Sequence, residues 1–307
     1  MSLLKEPILK LSQSREMRSF VTNNTLGRSA ARRFVAGETI VDAIKASQEA
    51  NKLGLHVSLD NLGENTSSEA EANRATQEYL NLLDEIEQAK VDANVSVKLT
   101  ALGQDIDRAQ CLENIRQVLK RAEGYNHTFV RLDMEGANYT QSTLDIFRQL
   151  WEEGHRNTGV VLQSYLYRTA DDVADMIKLG VRVRLCKGAY LEPPSVAFAE
   201  KAEVDKNYVA CMESLMREGN YPGLATHDEK IISHAVEYAA QHKIGPERFE
   251  FQMLYGVRRD LQTKLVAQGY NVRAYVPYGS QWYPYLMRRM AERPANLFFI
   301  ASQFFKG

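Results

Sequence analysis

Residues 159–186 read GVVLQSYLYRTADDVADMIKLGVRVRLC. The two ends, Gly159–Ser164 and Val181–Cys186, are short and rich in Val and Leu, which favours strands. Between them Val173, Met176 and Ile177 recur at helical spacing, and Gly180 closes the segment. Strand, helix, glycine and strand in that order make a parallel βα unit, because two parallel strands need a long crossover between them.

Working outward, the same alternation repeats. Six further strand-like runs are Leu55–Asp60, Val95–Thr100, Phe129–Met134, Gly223–His227, Phe249–Leu254 and Val272–Pro277. Helical spacing fills the gaps. Ser68–Glu71 reads as a capping box opening a run with Tyr79, Leu80, Leu83 and Ile86. Leu112, Ile115, Val118 and Leu119 share one face and Gly124 can end their helix. Eight strands alternating with helices predict an α/β chain folded as a distorted (βα)8 TIM-type barrel. The alternative, an open doubly wound sheet, would normally carry a glycine-rich phosphate loop, and neither G-x-G-x-x-G nor a P-loop occurs. Residues 1–50 are expected to form an N-terminal helical arm, with Glu38 to Lys52 as one helix, and residues 51–307 the barrel.

Composition narrows the function. The chain has 307 residues, with 38 basic and 39 acidic side chains and a net charge of -1. That balance argues against a broad nucleic-acid-binding face, so no nucleic-acid partner is expected. Cys111, Cys186 and Cys211 are scattered and odd in number, which points to a reducing, cytoplasmic setting. There is no run of 18 apolar residues, so no spanning helix is expected.

Barrel active sites lie at the C-terminal strand ends. The polar residues there are Asp60 and Glu64, Lys98 and Thr100, Arg131, Asp133 and Glu135, Gln163 and Tyr165, Arg184, Lys187 and Tyr190, Thr226, His227 and Asp228, Gln252 and Tyr255, and Tyr275. Arg182 and Arg184 alternate onto one side of their strand, where charge is costly unless paired or serving a site. The six histidines form no metal-ligand spacing, so no metal is expected. Lys98 and Lys187 sit where a Schiff-base lysine could sit, which leaves an aldolase-type barrel as the rival reading. In the last helix Tyr285, Arg288, Arg289 and Glu292 share a face. Two guanidinium forks beside a tyrosine suit a small carboxylate; the alternative is a solvated basic face with an Arg288–Glu292 pair. Arg258–Arg259 is a second such doublet, and the sequence does not rank the two.

Nine ordered blocks carry a resemblance: LDNLGE (59–64), VKLTALG (97–103), RLDME (131–135), VLQSYLYR (161–168), RLCKGAYLEP (184–193), ATHD (225–228), FEFQMLYG (249–256), YVPYG (275–279) and YLMRRMAERP (285–294). From about residue 30 onward the chain resembles the bacterial monofunctional proline dehydrogenases and the corresponding domain of bifunctional proline utilisation proteins. The resemblance implies non-covalent FAD and oxidation of L-proline to Δ1-pyrroline-5-carboxylate by hydride transfer to flavin N5, the first step of proline catabolism to glutamate. It implies that Lys98, Arg288 and Arg289 hold the substrate carboxylate and that Asp133 and Arg184 serve catalysis. It further implies that Tyr190, Leu254, Tyr275 and Tyr285 wall the proline ring, with Glu292 closing the site. Met134, Gln163, Arg184, Lys187, Gly188, Ala189, Thr226 and His227 would bind FAD, and Glu64 would pair with Arg184 as a gate. Electrons would pass to quinone, with peripheral contact at the inner face of the cell membrane and a pyrroline-5-carboxylate dehydrogenase as partner. The tail ANLFFIASQFFKG would touch lipid or, as the favoured alternative, pack on the barrel as a closing helix. Asn61 and Cys186 depart from the family's usual Leu and Val, and Cys186 is expected to be a small buried residue.

Overall fold

The computed structural model describes residues 32–125 and 128–292, with side chains through Met287. Eight parallel strands close in sequence order into one barrel: β1 (His56–Asn61), β2 (Ala93–Val97), β3 (Val130–Leu132), β4 (Thr158–Gln163), β5 (Arg182–Cys186), β6 (Gly223–Ala225), β7 (Glu250–Leu254) and β8 (Asn271–Tyr278). β8 pairs with β1 from His56↔Arg273 to Asn61↔Tyr278, so the sheet has no free edge and the open-sheet alternative falls.

Helices connect the strands: α1 (Ile40–Lys52), α2 (Glu69–Ala89), α3 (Arg108–Glu123), α4 (Ala137–Glu152), α5 (Thr169–Lys178), α6 (Lys201–Glu218), α7 (Glu229–Gln241), α8 (Arg259–Ala267) and α9 (Trp282–Glu292). α1 starts at a capping box: Thr39 Oγ1 accepts from Asp42 N at 3.2 Å, and Asp42 Oδ2 accepts from Thr39 N at 3.0 Å. It runs across residue 50 and packs on β1 and β8. Ser68 caps α2 as expected, but Glu71 reaches Ser67 N at 2.8 Å instead of Ser68 N, so the reciprocal half of that box is shifted by one residue. Gly124 is the C-cap of α3.

Period-two alternation sorts each strand into two faces. Val57, Leu59, Val95, Val97, Val130, Leu132, Val160, Leu162, Val183, Leu185, Phe251, Met253, Val272 and Val276 are buried among the helices in one continuous apolar layer. Each such side chain contributes about 1.5–3 kcal/mol by leaving water. The alternate positions face the lumen and are mostly polar: Ser58, Asp60, Ser96, Arg131, Arg184, Glu250 and Gln252 are all buried. That polar lining departs from the branched apolar filling usual in such barrels, and it places charge along the barrel axis.

Three strand ends fall short of expectation, and the simplest is β6, which stops at Ala225 instead of His227. β2 stops at Val97, and Leu99–Leu102 form a 3₁₀ turn. There Thr100 donates from N (3.3 Å) and Oγ1 (2.7 Å) to Glu135, which turns the chain out of the sheet. β3 is only three residues long, so Asp133 and Met134 lie past it. Arg131, read from sequence as a mouth residue, belongs to the opposite end. Its Nη1 donates to Arg182 O at 2.6 Å and its guanidinium lies 4.6 Å over Phe129.

Candidate active site

Four of the sequence-assigned residues form or adjoin one bonded cluster at the C-terminal mouth. Arg184 of β5 donates from Nη1 to Asp133 Oδ1 at 2.7 Å and to Ser96 Oγ at 3.1 Å, and from Nη2 to Ser58 Oγ at 3.1 Å. Its Nε donates to Gln252 Oε1. Tyr275 of β8 donates its hydroxyl to Asp133 Oδ2 at 2.7 Å, and the Arg184 guanidinium lies 5.1 Å from the Tyr275 ring centroid. Asp133 thus accepts from a cation and a phenol and holds both in place. Beside it Lys98, following β2, donates to Asp60 Oδ1 at 2.7 Å. Exposure is 8% for Lys98, 1% for Asp60, 8% for Asp133 and 5% for Arg184, so these charges act with little solvent screening.

Burial works against the charge on Lys98, but the Asp60, Asp133 and Glu64 carboxylates outweigh it and hold its pKa above the ordinary lysine value. A lysine so held stays an ammonium. It suits a carboxylate ligand, and it is a poor amine nucleophile. Lys187 is tied to Asp205 at 2.5 Å and to Asp228 at 2.9 Å. Neither lysine therefore favours the Schiff-base rival. Burial raises the pKa of Tyr275, with Asp133 adding to it, so its hydroxyl remains a donor.

The residues assigned to a flavin occupy an arc of neighbouring strand ends. Gln163 closes β4 and donates from Nε2 to Glu135 O at 2.8 Å. Lys187, Gly188, Ala189 and Tyr190 follow β5; Thr226 and His227 follow β6. Met134 is buried, just after Asp133. His227 Nε2 accepts from Leu254 N at 2.9 Å, so a neutral ring carries its proton on Nδ1. Gly188 has φ +110°, and a methyl there would meet the Tyr165 ring at 2.4 Å, so the chain passes this point only as glycine. Amide, hydroxyl and imidazole groups at adjoining strand ends suit a cofactor with a polar ring system. These residues fit FAD.

A cleft of about 790 Å³ opens beside β1 and β8. Glu64 and Lys98 line it, together with Asn61, Arg74, Glu78 and Tyr278. Glu64 thus lines the same cleft as Lys98, whereas Arg184 directs all three guanidinium nitrogens at barrel partners. Tyr285 is buried on α9, the helix that also carries Arg288, Arg289 and Glu292; the side chains of those three lie outside the described residues, as does the tail from 293. Of the second arginine doublet, Arg258 is tied to Glu229 at 2.7 Å and Asp260 at 2.8 Å, and Arg259 lies over Tyr255. Cys186 is half-buried, not buried, with Sγ 3.6 Å from Leu162 O. Asp60 and Gln252 were visible as strand-end residues but carried no assigned role, and Ser58 and Ser96 were missed. The signal for them was present: Ser58/Asp60 and Ser96/Lys98 share the two-residue polar period that singled out Arg182/Arg184.

Comparison with known proteins gives a consistent result. The proline dehydrogenase family model matches residues 43–302. The chain is 40% identical over 304 residues to proline dehydrogenase 1 of Bacillus subtilis subsp. natto, covering 99% of this chain and 100% of that one. It is 43% identical over 281 residues to proline dehydrogenase of Deinococcus radiodurans, 90% of each. Its fold is similar to the crystal structure of proline utilization A from Bdellovibrio bacteriovorus inactivated by N-propargylglycine, with TM-score 0.83 and 27% identity. That match covers 94% of this chain and 35% of the longer one.

Proposed function

The chain belongs to the proline dehydrogenase family, and on that premise we propose that it oxidises L-proline to Δ1-pyrroline-5-carboxylate with non-covalent FAD. The observation that carries the proposal is the Asp133–Arg184–Tyr275 cluster beside Lys98, held as an ammonium by Asp60, at the barrel end where such sites lie.

Lys98, with Arg288 and Arg289, would fix the substrate carboxylate, and Tyr190, Leu254, Tyr275 and Tyr285 would bound its ring, with Glu292 closing over it. Held so, the ring carbon next to nitrogen presents its hydrogen in one direction, which is positioning catalysis. Bound FAD would supply the two-electron acceptor that takes this hydride at N5. Met134, Gln163, Lys187, Gly188, Ala189, Thr226 and His227 would hold it. Arg184, kept in the barrel by Asp133, would place positive charge where the acceptor gains negative charge. Glu64, on the cleft wall, would gate entry; to pair with Arg184 it would have to displace one of that guanidinium's barrel partners.

Electrons would leave to a quinone. The protein would work in the cytoplasm with peripheral contact at the inner membrane face, and a pyrroline-5-carboxylate dehydrogenase would consume the product. Among the described residues no helix is long and apolar enough to cross a membrane. The test is turnover of the FAD-reconstituted chain with L-proline and a soluble quinone, with the imine product trapped by an aromatic amine aldehyde. Turnover restricted to L-proline supports the proposal; none with proline and any quinone refutes it. Co-sedimentation with anionic vesicles tests the membrane contact separately.

A further inference from the structure

The lumen holds a chain of side chains that lies below the mouth. At the floor Arg273 Nε donates to both oxygens of Glu250, at 2.8 and 3.0 Å, and Arg273 Nη1 donates to Val57 O at 2.7 Å. Burial pushes the Glu250 carboxyl up, yet Arg273 and Gln252 outweigh it and hold its pKa below the ordinary value. One layer higher, Gln252 Nε2 donates to Glu250 Oε1 at 2.5 Å, and Gln252 Oε1 accepts from Arg184 Nε. A carboxylate only accepts and a guanidinium only donates, so the Gln252 amide has one permitted orientation. Glu250 and Arg184 thus select the same orientation of Gln252 from opposite ends.

The route for this side chain comes from β6. Gly223 is in register with Arg184 on one side and Glu250 on the other. A methyl on Gly223 would meet Gln252 Nε2 at 2.4 Å. Its backbone is not in the left-handed region, so alanine there would act through this contact alone.

We propose that Glu250, Gln252 and Gly223 are positioning residues for Arg184. They fix its Nε edge from below, so that its Nη1 and Nη2 face Asp133, Ser96 and Ser58 at the mouth. The kinetic consequence rests on the proposed proline oxidation; the bonding itself does not.

Two readouts on the full-length chain test this, using Gly223→Ala, Gln252→Leu and the double variant. The first is the arginine Nε–H cross-peak of Arg184 in a 15N NMR spectrum, assigned by its disappearance in Arg184→Lys. It should be slowly exchanging in the parent chain and lost, or fast-exchanging, in both single variants. The second is steady-state kinetics after FAD reconstitution. Loss of a hydrogen bond to a charged group predicts a fall in kcat of roughly tenfold, with KM for proline nearly unchanged. Because both substitutions break one chain, Gly223→Ala should add nothing in the Gln252→Leu background. An unchanged cross-peak in both variants, an unchanged kcat with the cross-peak lost, or fully additive losses would overturn the proposal. If the parent chain with FAD does not oxidise proline, the functional reading fails, and the cross-peak alone decides the positioning chain.

Discussion

Replacing Asp60 by Asn leaves Lys98 buried without its nearest countercharge. The parent pair has side-chain exposures of 10% for Lys98 and 1% for Asp60 and a separation of 2.7 Å. Breaking a buried ion pair from one side destabilises by about 3–5 kcal/mol. At about 2.1 cal/mol/K per residue, a 307-residue chain then loses about 5–8 °C in melting temperature. The pH dependence carries a sign. In the parent the pKa of Lys98 is raised, so its stabilising contribution is fully present below the unfolded lysine value of about 10.4 and is lost only above it. In the variant Asp60 no longer opposes burial, the largest influence on this group, and the prediction is that Asp133 and Glu64 do not make up the loss, so that the pKa of Lys98 falls below the ordinary lysine value. A lysine with a lowered folded pKa destabilises at neutral pH and recovers as pH rises towards the unfolded value. Differential scanning fluorimetry of both proteins from about pH 7 to pH 10 should show a deficit that shrinks with rising pH. A deficit near zero, or one constant across that range, refutes the view that Lys98 is a buried ammonium held by Asp60.

Three further outcomes follow from the geometry. Gly188→Ala forces a side chain onto a φ of +110° and into the Tyr165 ring; a fluorescence titration should show FAD affinity reduced at least tenfold, about 1.4 kcal/mol, within the usual range for such strain. The pKa of His56 is raised, chiefly by its bond to Asp92 at 2.6 Å, so the stability it adds is present below about pH 6.5 and is lost as pH rises through the folded pKa. An NMR titration of Asp92→Asn should move the His56 midpoint downward. Burial pushes the thiol of Cys111 up to about 12 and that of Cys211 up to about 11. Mass spectrometry after brief treatment of the native protein with a disulfide reagent at neutral pH should find both cysteines unmodified.

The barrel was legible because eight short β-rich runs and the glycine-closed helices between them are local signals. Strand ends were less so. β2 and β3 end early because Thr100 turns out to bond Glu135, a partner 35 residues away that no local pattern announces. The individual mouth residues Lys98, Asp133, Arg184 and Tyr275 could be read as strand-end polar groups. Their bonding could not: Arg184 meets Ser58, Ser96 and Gln252 at sequence separations of 126, 88 and 68, and only closure of the sheet brings these together. Arg131 was misplaced for the same reason, since its partner at the opposite end, Arg182 O, is 51 residues away.

We propose that this mouth oxidises proline by passing hydride to a bound flavin. The most direct measurement is the visible spectrum of the FAD-loaded, full-length chain under anaerobic conditions, before and after one equivalent of L-proline. The expected result is a yellow protein whose flavin absorbance bleaches with L-proline. A protein that takes up FAD and keeps its colour with L-proline contradicts it.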